Sequence, residues 1–293
     1  PSPRVTVVDA VYHVTSSAWM GAPVDQCAPV VVTVQDVIPR RLPGNAGWLR
    51  TLVRRRHRRA VPAAQGLLFD STHAREEFLS FYEYPLERTA VVPLAASEAF
   101  VPGDREAARD ALGLPAAGPM LLHVGAEEPR KNVGTLLAAV RRLAPRYPGL
   151  VLLRVGGARS RTRRQIHRLG LDGTVRYRGG VSDGELARLY QAADAFVFPS
   201  LYEGFGLPVL EALACGCPVV AADRTSVPEI TGDAALLVDP RDPDAIAAAV
   251  GRVLDDAALA ASLRAAGPAR AAAFTWRRVA GETLAMYRRV LGI

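Results

Sequence analysis

The feature that most constrains the fold is a regular alternation of short apolar runs with helix-length segments in the second half of the chain. Each run is bounded by turn residues and has the length of a buried strand. The runs cover residues 120–124, 150–155, 175–177, 195–198, 218–221 and 235–238. Because strands that are separated by helices pair in parallel, the alternation predicts an α/β fold with a complete doubly wound sheet.

The first half of the chain shows the same alternation over fewer strands. Its apolar runs cover residues 5–8, 29–34, 66–69 and 89–92. Residues 93–119 are rich in proline and glycine, carry no strand pattern and mark a domain boundary. We therefore expect a smaller domain over residues 1–115, a complete one over residues 116–274 and a last helix within residues 275–293. The start at Pro1 rather than methionine is consistent with an upstream portion absent from this sequence.

The charge balance favours a phosphate-bearing partner without identifying it. Lysine and arginine number 36 against 29 acidic residues, for a formal charge of +7. Nucleic acid, an anionic membrane and a nucleotide all stay open on this ground. The basic block from Arg54 to Arg59 is compatible with a peripheral contact to anionic lipid, although a solvated helix face is the favoured interpretation.

Cysteine usage indicates a reducing compartment. Cys27, Cys215 and Cys217 form no disulfide framework. Cys215 and Cys217 are interpreted as small buried side chains rather than as metal ligands. No apolar run reaches the roughly 18 to 20 residues that a spanning helix needs. We expect a cytoplasmic protein, or one held peripherally at the inner membrane face.

One stretch places two carboxylates beside a glycine loop. An apolar run at residues 195–198 leads into Glu203, Gly204, Phe205, Gly206 and Leu207, and a helix that begins near Pro208 carries Glu211. This strand, loop and helix would present free N–H groups at the carboxyl edge of the sheet, where anionic ligands bind. We interpret both carboxylates as hydrogen-bond acceptors for a ligand's hydroxyl groups.

Similar glycine-containing loops follow other predicted strands. Gly125 ends the run at residues 120–124 and precedes Arg130 and Lys131, two cations suited to offset the charge of a departing diphosphate. Gly156 ends the next run, and the backbone before Val181 is suited to a flat base. The glycine spacing departs from Gly-x-Gly-x-x-Gly, so a nicotinamide-dependent dehydrogenase is disfavoured.

The sequence offers no candidate metal site or hydrolytic triad. Asp242 and Asp244 fit an Asp-x-Asp pattern, but they stand where a helix needs a cap and first-turn acids. The five histidines are scattered.

Four motifs together resemble the retaining, nucleotide-sugar-dependent glycosyltransferases of family 4. They are Glu203-Gly-Phe-Gly-Leu-Pro-Val-Leu-Glu211, Pro129-Arg-Lys-Asn132, Gly156-Gly157 and Ser226-Val-Pro-Glu229. The resemblance implies a GT-B architecture of two Rossmann-like domains, with the first one incomplete here, and a final helix that returns to the first domain.

The resemblance also implies residue roles. Arg130 and Lys131 would grip the diphosphate of the donor, and Glu203 would contact hydroxyls of the transferred sugar. The loop amides from Gly204 to Leu207 would bind sugar and phosphates, and Glu211 would bind the ribose. The backbone around Val181 would lie beside the base. No added metal or cofactor would be required, and the partners would be a nucleotide sugar and a glycan or lipid-linked acceptor, not nucleic acid.

One position departs from the family's pattern. The segment Thr33-Val34-Gln35-Asp36 resembles a family segment that usually reads Thr-Val-His-Asp, whose histidine faces the sugar from the acceptor side. Gln35 hydrogen-bonds but cannot become a cation. The expected function is a retaining hexosyltransferase that uses a GDP- or UDP-sugar. The alternative is a nucleotide-sugar-binding module that has lost transfer activity, and a sugar-nucleotide epimerase is disfavoured.

Overall fold

The computed structural model describes residues 11–15, 28–36, 63–114 and 118–293. The expected strand at residues 5–8, Cys27 and the block from Arg54 to Arg59 lie outside them. The chain divides into two compact units, residues 1–94 with 275–293, and residues 95–274.

The first unit contains a parallel sheet of four strands in the order β1-β2-β3-β4. Its elements are β1 Tyr12–Val14, β2 Val30–Val34, β3 Gly66–Phe69, α1 Thr72–Leu79, β4 Thr89–Val91 and, at the end of the chain, α10 Trp276–Leu291. Three of the strands match expected runs. Strand β1 was not expected, because a three-residue edge strand with a histidine at its centre has no alternation to reveal it.

The two faces of this sheet are covered by different helices. Val32 and Val34 pack with Phe78 of α1, whereas Val31 and Leu68 pack with Met286 of α10. Period-2 alternation along β2 therefore supplies both apolar faces.

Polar contacts also join α10 to the first unit. Nδ1 of His13 lies 2.5 Å from the hydroxyl of Tyr287, and its Nε2 lies 2.8 Å from Oγ1 of Thr33. Arg289 donates to the carbonyl of Glu87 at 2.9 Å. The terminal helix therefore belongs to the fold of this unit.

The second unit contains a parallel sheet of six strands in the order β10-β9-β8-β5-β6-β7. Its strands are β5 Met120–Val124, β6 Val151–Val155, β7 Val175–Arg178, β8 Ala195–Phe198, β9 Val219–Ala222 and β10 Leu236–Val238. Its helices are α2 Arg105–Ala111, α3 Val133–Leu143, α4 Ser160–Arg168, α5 Asp183–Ala192, α6 Leu207–Ala214, α7 Val227–Thr231, α8 Pro243–Asp255 and α9 Ala257–Ala271. The α/β class with two Rossmann-like sheets is confirmed.

The unit boundary lies at Leu94, whereas the sequence predicted residue 115. Helix α2 belongs to the second unit because Arg105 donates to Asp194 at 2.6 Å, and the Asp194 carboxylate also accepts from the Met120 amide at 2.7 Å. Proline and glycine mark an irregular segment, but its side-chain contacts decide the unit to which it belongs.

Helix α9 was not expected from the sequence. It is rich in alanine and contains Pro268, so its apolar periodicity is weak. It packs closely on α6, because a Cβ at Gly267 would lie 2.8 Å from the carbonyl oxygen of Leu213. Within the described residues, no helix combines the length and hydropathy needed to cross a membrane.

Candidate functional site

The corner between β8 and α6 carries the central carboxylate. Strand β8 ends at Phe198, and α6 begins at Leu207 after Gly206, whose φ of 111° suits glycine. Pro208 stands within the first helical turn, where a missing N–H costs nothing. The loop between them holds Glu203, which is buried with 6% of its surface exposed.

Glu203 is ion-paired with both predicted cations. Its Oε1 lies 2.7 Å from Nζ of Lys131, and its Oε2 lies 2.8 Å from Nη1 of Arg130. The Lys131 ammonium also sits 4.9 Å from the ring centroid of Phe198. We call Arg130, Lys131 and Glu203 the ion cluster. The sequence predicted these three residues for one site, and the fold brings them into direct contact.

Arg130 has a second carboxylate partner. Its Nε donates to Glu128 at 2.7 Å, and its Nη1 reaches the carbonyl of Tyr202 at 3.3 Å. Burial lowers the pKa of Arg130, but the Glu203 and Glu128 carboxylates outweigh burial and hold that pKa above its usual value. The guanidinium is therefore fixed as a cation at the edge of the sheet.

Backbone contacts hold the two loops of the ion cluster together. The Leu201 amide donates to the carbonyl of Arg130 at 2.7 Å, and the Asn132 side-chain amide donates to Pro199 and Pro240. Asn132 adopts a left-handed conformation with φ of 55°, which asparagine tolerates well. The loops after β5 and β8 are therefore tied directly to each other.

Ser226 and Thr225 support the Glu203 loop from the end of β9. The Ser226 hydroxyl donates to the carbonyls of Glu203 and Phe205, and the Thr225 hydroxyl accepts from the Glu203 amide at 3.3 Å. Ser226 is fully buried. This explains on physical grounds why the serine of the Ser226-Val-Pro-Glu229 motif belongs with the site.

Gly156 and Gly125 bring two strand ends into close approach. The Gly125 amide donates to Val155 at 3.0 Å, and Gly156 has φ of 136°. A Cβ at Gly156 would lie 2.5 Å from the carbonyl oxygen of Gly125. Only glycine fits this approach without a shift of the backbone.

Replacing Gly156 by alanine is expected to lower the free energy of unfolding by about 1 to 3 kcal/mol, because it adds both backbone strain and a clash. Chemical denaturation measures this change. Gly157→Ala is the matched control, since nothing lies within 4 Å of its Cβ position. Equal losses in the two variants would contradict the assigned close approach.

Glu211 lies in α6, one turn after its first residue. Its Oε2 accepts a hydrogen bond of 3.0 Å from the hydroxyl of Tyr190, a fully buried residue of α5. Burial raises the pKa of Glu211 to about 7; the Tyr190 hydrogen bond opposes that rise and the charge of Asp183 adds to it. The protonation of Glu211 therefore changes near neutral pH. Tyr190 was not identified from the sequence, because nothing in its local pattern distinguishes it from a core tyrosine.

The remaining predicted residues are distributed over both units. Phe205 is buried beside Gly204, and Leu207 opens α6. Val181 lies between β7 and α5 and is half-buried. Gln35 and Asp36 follow β2 in the first unit. The roles of these residues stay predictions.

A buried network that the sequence did not reveal surrounds Glu127. Its carboxylate accepts from Arg154 at 2.6 Å, Tyr177 at 2.8 Å, the Arg159 amide at 2.6 Å and Thr162 at 2.7 Å. Burial alone raises the pKa of Glu127, but these four donors together hold it below its usual value. Glu127 thereby ties the loop after β5 to β6, β7 and α4.

His123 is a second buried group beside the site. It is fully buried in β5, and neither ring nitrogen has a hydrogen-bond partner among the described residues. Burial, followed by the charges of Arg154 and Lys131, lowers its pKa well below the usual value. His123 is therefore a neutral neighbour of the cations.

Two further expectations concern residues outside this site. Cys215 and Cys217 are buried free thiols, as predicted. Asp242 caps α8 by accepting from the amides of Asp244 and Ala245, so the capping interpretation is confirmed. Within the described part of the chain, no three His, Cys, Asp or Glu side chains group in a way that could hold a metal.

Comparison with known proteins identifies the family. The model for "Glycosyl transferases group 1" matches residues 104–270, more than half of the chain and the whole of the site just described in the second unit. The chain belongs to this family. The family match spans the ion cluster, Gly125, Gly156 and Glu211.

Relatives and solved structures agree with this family. The O-antigen chain mannosyltransferase B of Escherichia coli is 38% identical over 237 residues, covering 78% of this chain and 62% of that protein. The MMP alpha-(1->4)-mannosyltransferase of Mycolicibacterium hassiacum is 32% identical over 279 residues, covering 90% of this chain and 66% of that protein. The chain thus spans a little under two thirds of the length of these relatives. A sucrose-phosphate synthase from Thermosynechococcus elongatus superimposes with a TM-score of 0.78 at 29% identity, over 90% of this chain and 68% of that structure.

Proposed function

We propose that the chain is a retaining glycosyltransferase that moves a hexosyl group from a GDP- or UDP-sugar to a hydroxyl of a glycan or lipid-linked acceptor. The observation that carries the proposal is the ion cluster at the carboxyl edge of the second sheet, next to the N-terminus of α6. Fixed cations at such an edge are suited to a diphosphate. The names of the two mannosyltransferase relatives favour mannose among the hexoses.

In the proposed reaction, the bond between the sugar's anomeric carbon and the phosphate oxygen breaks as the acceptor oxygen bonds to that carbon on the same face. The acceptor's proton goes to the departing phosphate. Arg130 and Lys131 stabilise the negative charge that develops on the diphosphate, which lowers the barrier because these charges are already in position.

Glu203 has a double role in this proposal. It holds the Lys131 ammonium and the Arg130 guanidinium in place, and its remaining lone pairs can accept hydrogen bonds from sugar hydroxyls. Arg130 can exchange Glu128, whose side chain is 45% exposed, for a phosphate oxygen at small cost.

The proposal is tested by thermal unfolding with a panel of nucleoside diphosphates and their sugars. A ligand at about 100 times its dissociation constant should add roughly 2.7 kcal/mol of stability, and Glu211→Ala should lose most of that gain. If no member of the panel stabilises the protein, the donor site is refuted. Stabilisation without donor consumption, in the presence of a mixed acceptor library, would support the alternative of a binding module.

The Glu211 carboxylate also predicts a pH dependence. Because the pKa of Glu211 is about 7, its ionised form predominates above pH 7. Only this form leaves both carboxylate oxygens as full acceptors for the two ribose hydroxyls. Affinity for a nucleotide sugar should therefore rise roughly tenfold between pH 6 and pH 8. A nucleotide sugar is the suitable ligand, because it lacks the terminal phosphate group that titrates near pH 6.

Isothermal calorimetry at several pH values measures this effect. In Glu211→Gln the affinity should be lower and nearly independent of pH over the same range. A wild-type profile that is flat, or that Glu211→Gln leaves unchanged, would exclude Glu211 as the ribose acceptor.

A further inference from the structure

The hydroxyl group of Tyr190 joins α5 to the Glu211 carboxylate of α6. It donates to Oε2 of Glu211 at 3.0 Å, although the two residues lie 21 positions apart in the chain. An ionised carboxylate only accepts hydrogen bonds, so the tyrosine is the donor of this pair. One O–H fills one of about four acceptor positions on the two carboxylate oxygens, so the bond leaves acceptor capacity for a ligand.

Aromatic packing fixes the ring of Tyr190. The residue is fully buried, and the rings of Phe100 and Phe196 lie edge-on to it, with centroid distances of 6.0 and 5.3 Å. Phe196 belongs to β8, the strand that leads into the loop of Glu203. Because a ring packed against two aromatic neighbours keeps one orientation, its hydroxyl oxygen has a defined position. Tyr190 therefore presents a fixed donor to α6.

The burial of Tyr190 does not by itself explain the choice of Glu211 as partner. A buried hydroxyl requires an acceptor, and a backbone carbonyl serves that purpose. Tyr84 is an example, since its hydroxyl donates to the carbonyl of Ala64 at 3.0 Å. The partner of Tyr190 is instead a half-buried carboxylate one turn after the start of α6. A hydrogen bond to a charged group is stronger than one to a neutral group, so it also orients the carboxylate.

The charges around this pair make Glu211 the group that changes protonation near neutral pH. Burial raises the pKa of Glu211 to about 7, the Tyr190 hydrogen bond opposes that rise, and the charge of Asp183 adds to it. Burial, and then the charge of Glu211, raises the pKa of Tyr190 well above its usual value, so its hydroxyl remains a donor. Cys215 and Cys217 also act on Tyr190, and burial raises the pKa of both thiols, which keeps them neutral.

We propose that Tyr190 is a positioning residue for the nucleotide sugar: its hydroxyl holds the Glu211 carboxylate in one orientation and stabilises the ionised form that accepts from the ribose. The inference rests on the proposed function and adds a residue that no motif indicates. Without the hydroxyl, the carboxylate gains side-chain freedom that ligand binding must then remove. A smaller fraction of it is also ionised at pH 7. Both effects weaken donor binding.

The first experiment follows the Glu211 carboxyl group without any ligand. Protein labelled with ¹³C at the glutamate side-chain carboxyl carbon is titrated by NMR between pH 5 and pH 9, and Glu211→Gln identifies the Glu211 resonance. Tyr190→Phe keeps the ring and removes the hydroxyl, so we expect the Glu211 midpoint to rise by about one pH unit. Tyr147→Phe is the matched control, because it removes a hydroxyl that donates to another carboxylate of the second unit, Asp255, at 2.9 Å. It should leave the Glu211 midpoint unchanged.

The second experiment measures donor affinity by isothermal calorimetry, with GDP-mannose and UDP-glucose as probes. We expect Tyr190→Phe to bind about tenfold more weakly than wild type at pH 7 but only about twofold more weakly at pH 9, where Glu211 is ionised in both proteins. Tyr147→Phe should bind as wild type does at both pH values. Thermal unfolding of each variant sets a working temperature at which all of them are folded.

The outcomes separate this inference from the proposed function. An unchanged Glu211 midpoint in Tyr190→Phe overturns the positioning role and leaves the donor site standing. A loss of affinity by the same factor at both pH values, or no loss at all, overturns it in the same way. If wild type binds neither nucleotide sugar, the donor site itself is refuted and the role of Tyr190 in donor binding fails with it. A raised midpoint together with a loss of affinity that is larger at pH 7 supports the proposal.

Discussion

Lys131→Ala is expected to lower kcat/KM for donor consumption by about 10²- to 10³-fold, the range seen when one fixed stabilising group is lost from an active site. The Lys131 side chain is only 9% exposed, and Glu203 holds its ammonium at 2.7 Å. Water is a poor substitute for the ammonium in so buried a place. The measurement is the rate of nucleoside diphosphate release with a mixed acceptor library.

Arg164→Ala is the matched control, since it removes one positive charge from an exposed position on α4. Its turnover should equal that of wild type. The melting temperature of Lys131→Ala is measured in parallel, so that a folding defect is recognised as such. Wild-type turnover in a folded Lys131→Ala protein would remove Lys131 from the mechanism.

Glu203→Ala is expected to have the largest effect on stability, a loss of about 3 to 5 kcal/mol in the free energy of unfolding. The change removes the carboxylate between two cations and leaves the Lys131 ammonium buried without its partner. A nucleoside diphosphate should restore part of the loss, because its phosphates supply negative charge at the same position. Chemical denaturation with and without UDP and GDP measures both effects.

Glu128→Ala provides the comparison for Glu203. It also removes a carboxylate that pairs with Arg130, but the Glu128 side chain is 45% exposed, and ion pairs with an exposed member contribute little to stability. Its free energy of unfolding should stay within about 0.5 kcal/mol of wild type. Similar losses in the two variants would mean that the ion cluster is not the buried, stability-determining unit described above.

Strand positions were predictable because each is a short apolar run between turn residues. The six strands of the second sheet all lie where the alternation of residues 120–238 predicted them. Helix α9 and strand β1 were missed for a common reason: neither carries a periodic apolar pattern, and each is stabilised by packing on other elements. The position of α2 was likewise decided by the distant Asp194, which no local pattern reveals.

The sequence predicted which residues form the candidate site but not the ion pairs and hydrogen bonds between their side chains. Spacing and resemblance selected Arg130, Lys131 and Glu203, whereas their direct contact depends on side chains that are 72 and 73 residues apart. Tyr190 carries no recognisable motif, so only its burial and its hydrogen bond to Glu211 distinguish it.

The ion cluster with Glu128 contains as many negative as positive formal charges, two carboxylates against two cations. Because these charges sum to zero, the group exerts little net attraction on a distant anion. Salt screens what remains beyond the Debye length of about 8 Å. Simple inorganic anions therefore gain little binding free energy from the group, although their charge is opposite to that of its two cations. We therefore expect the proposed donor site to discriminate by contacts at hydrogen-bonding distance, so that the shape and hydroxyl pattern of a ligand matter more than its ionic charge.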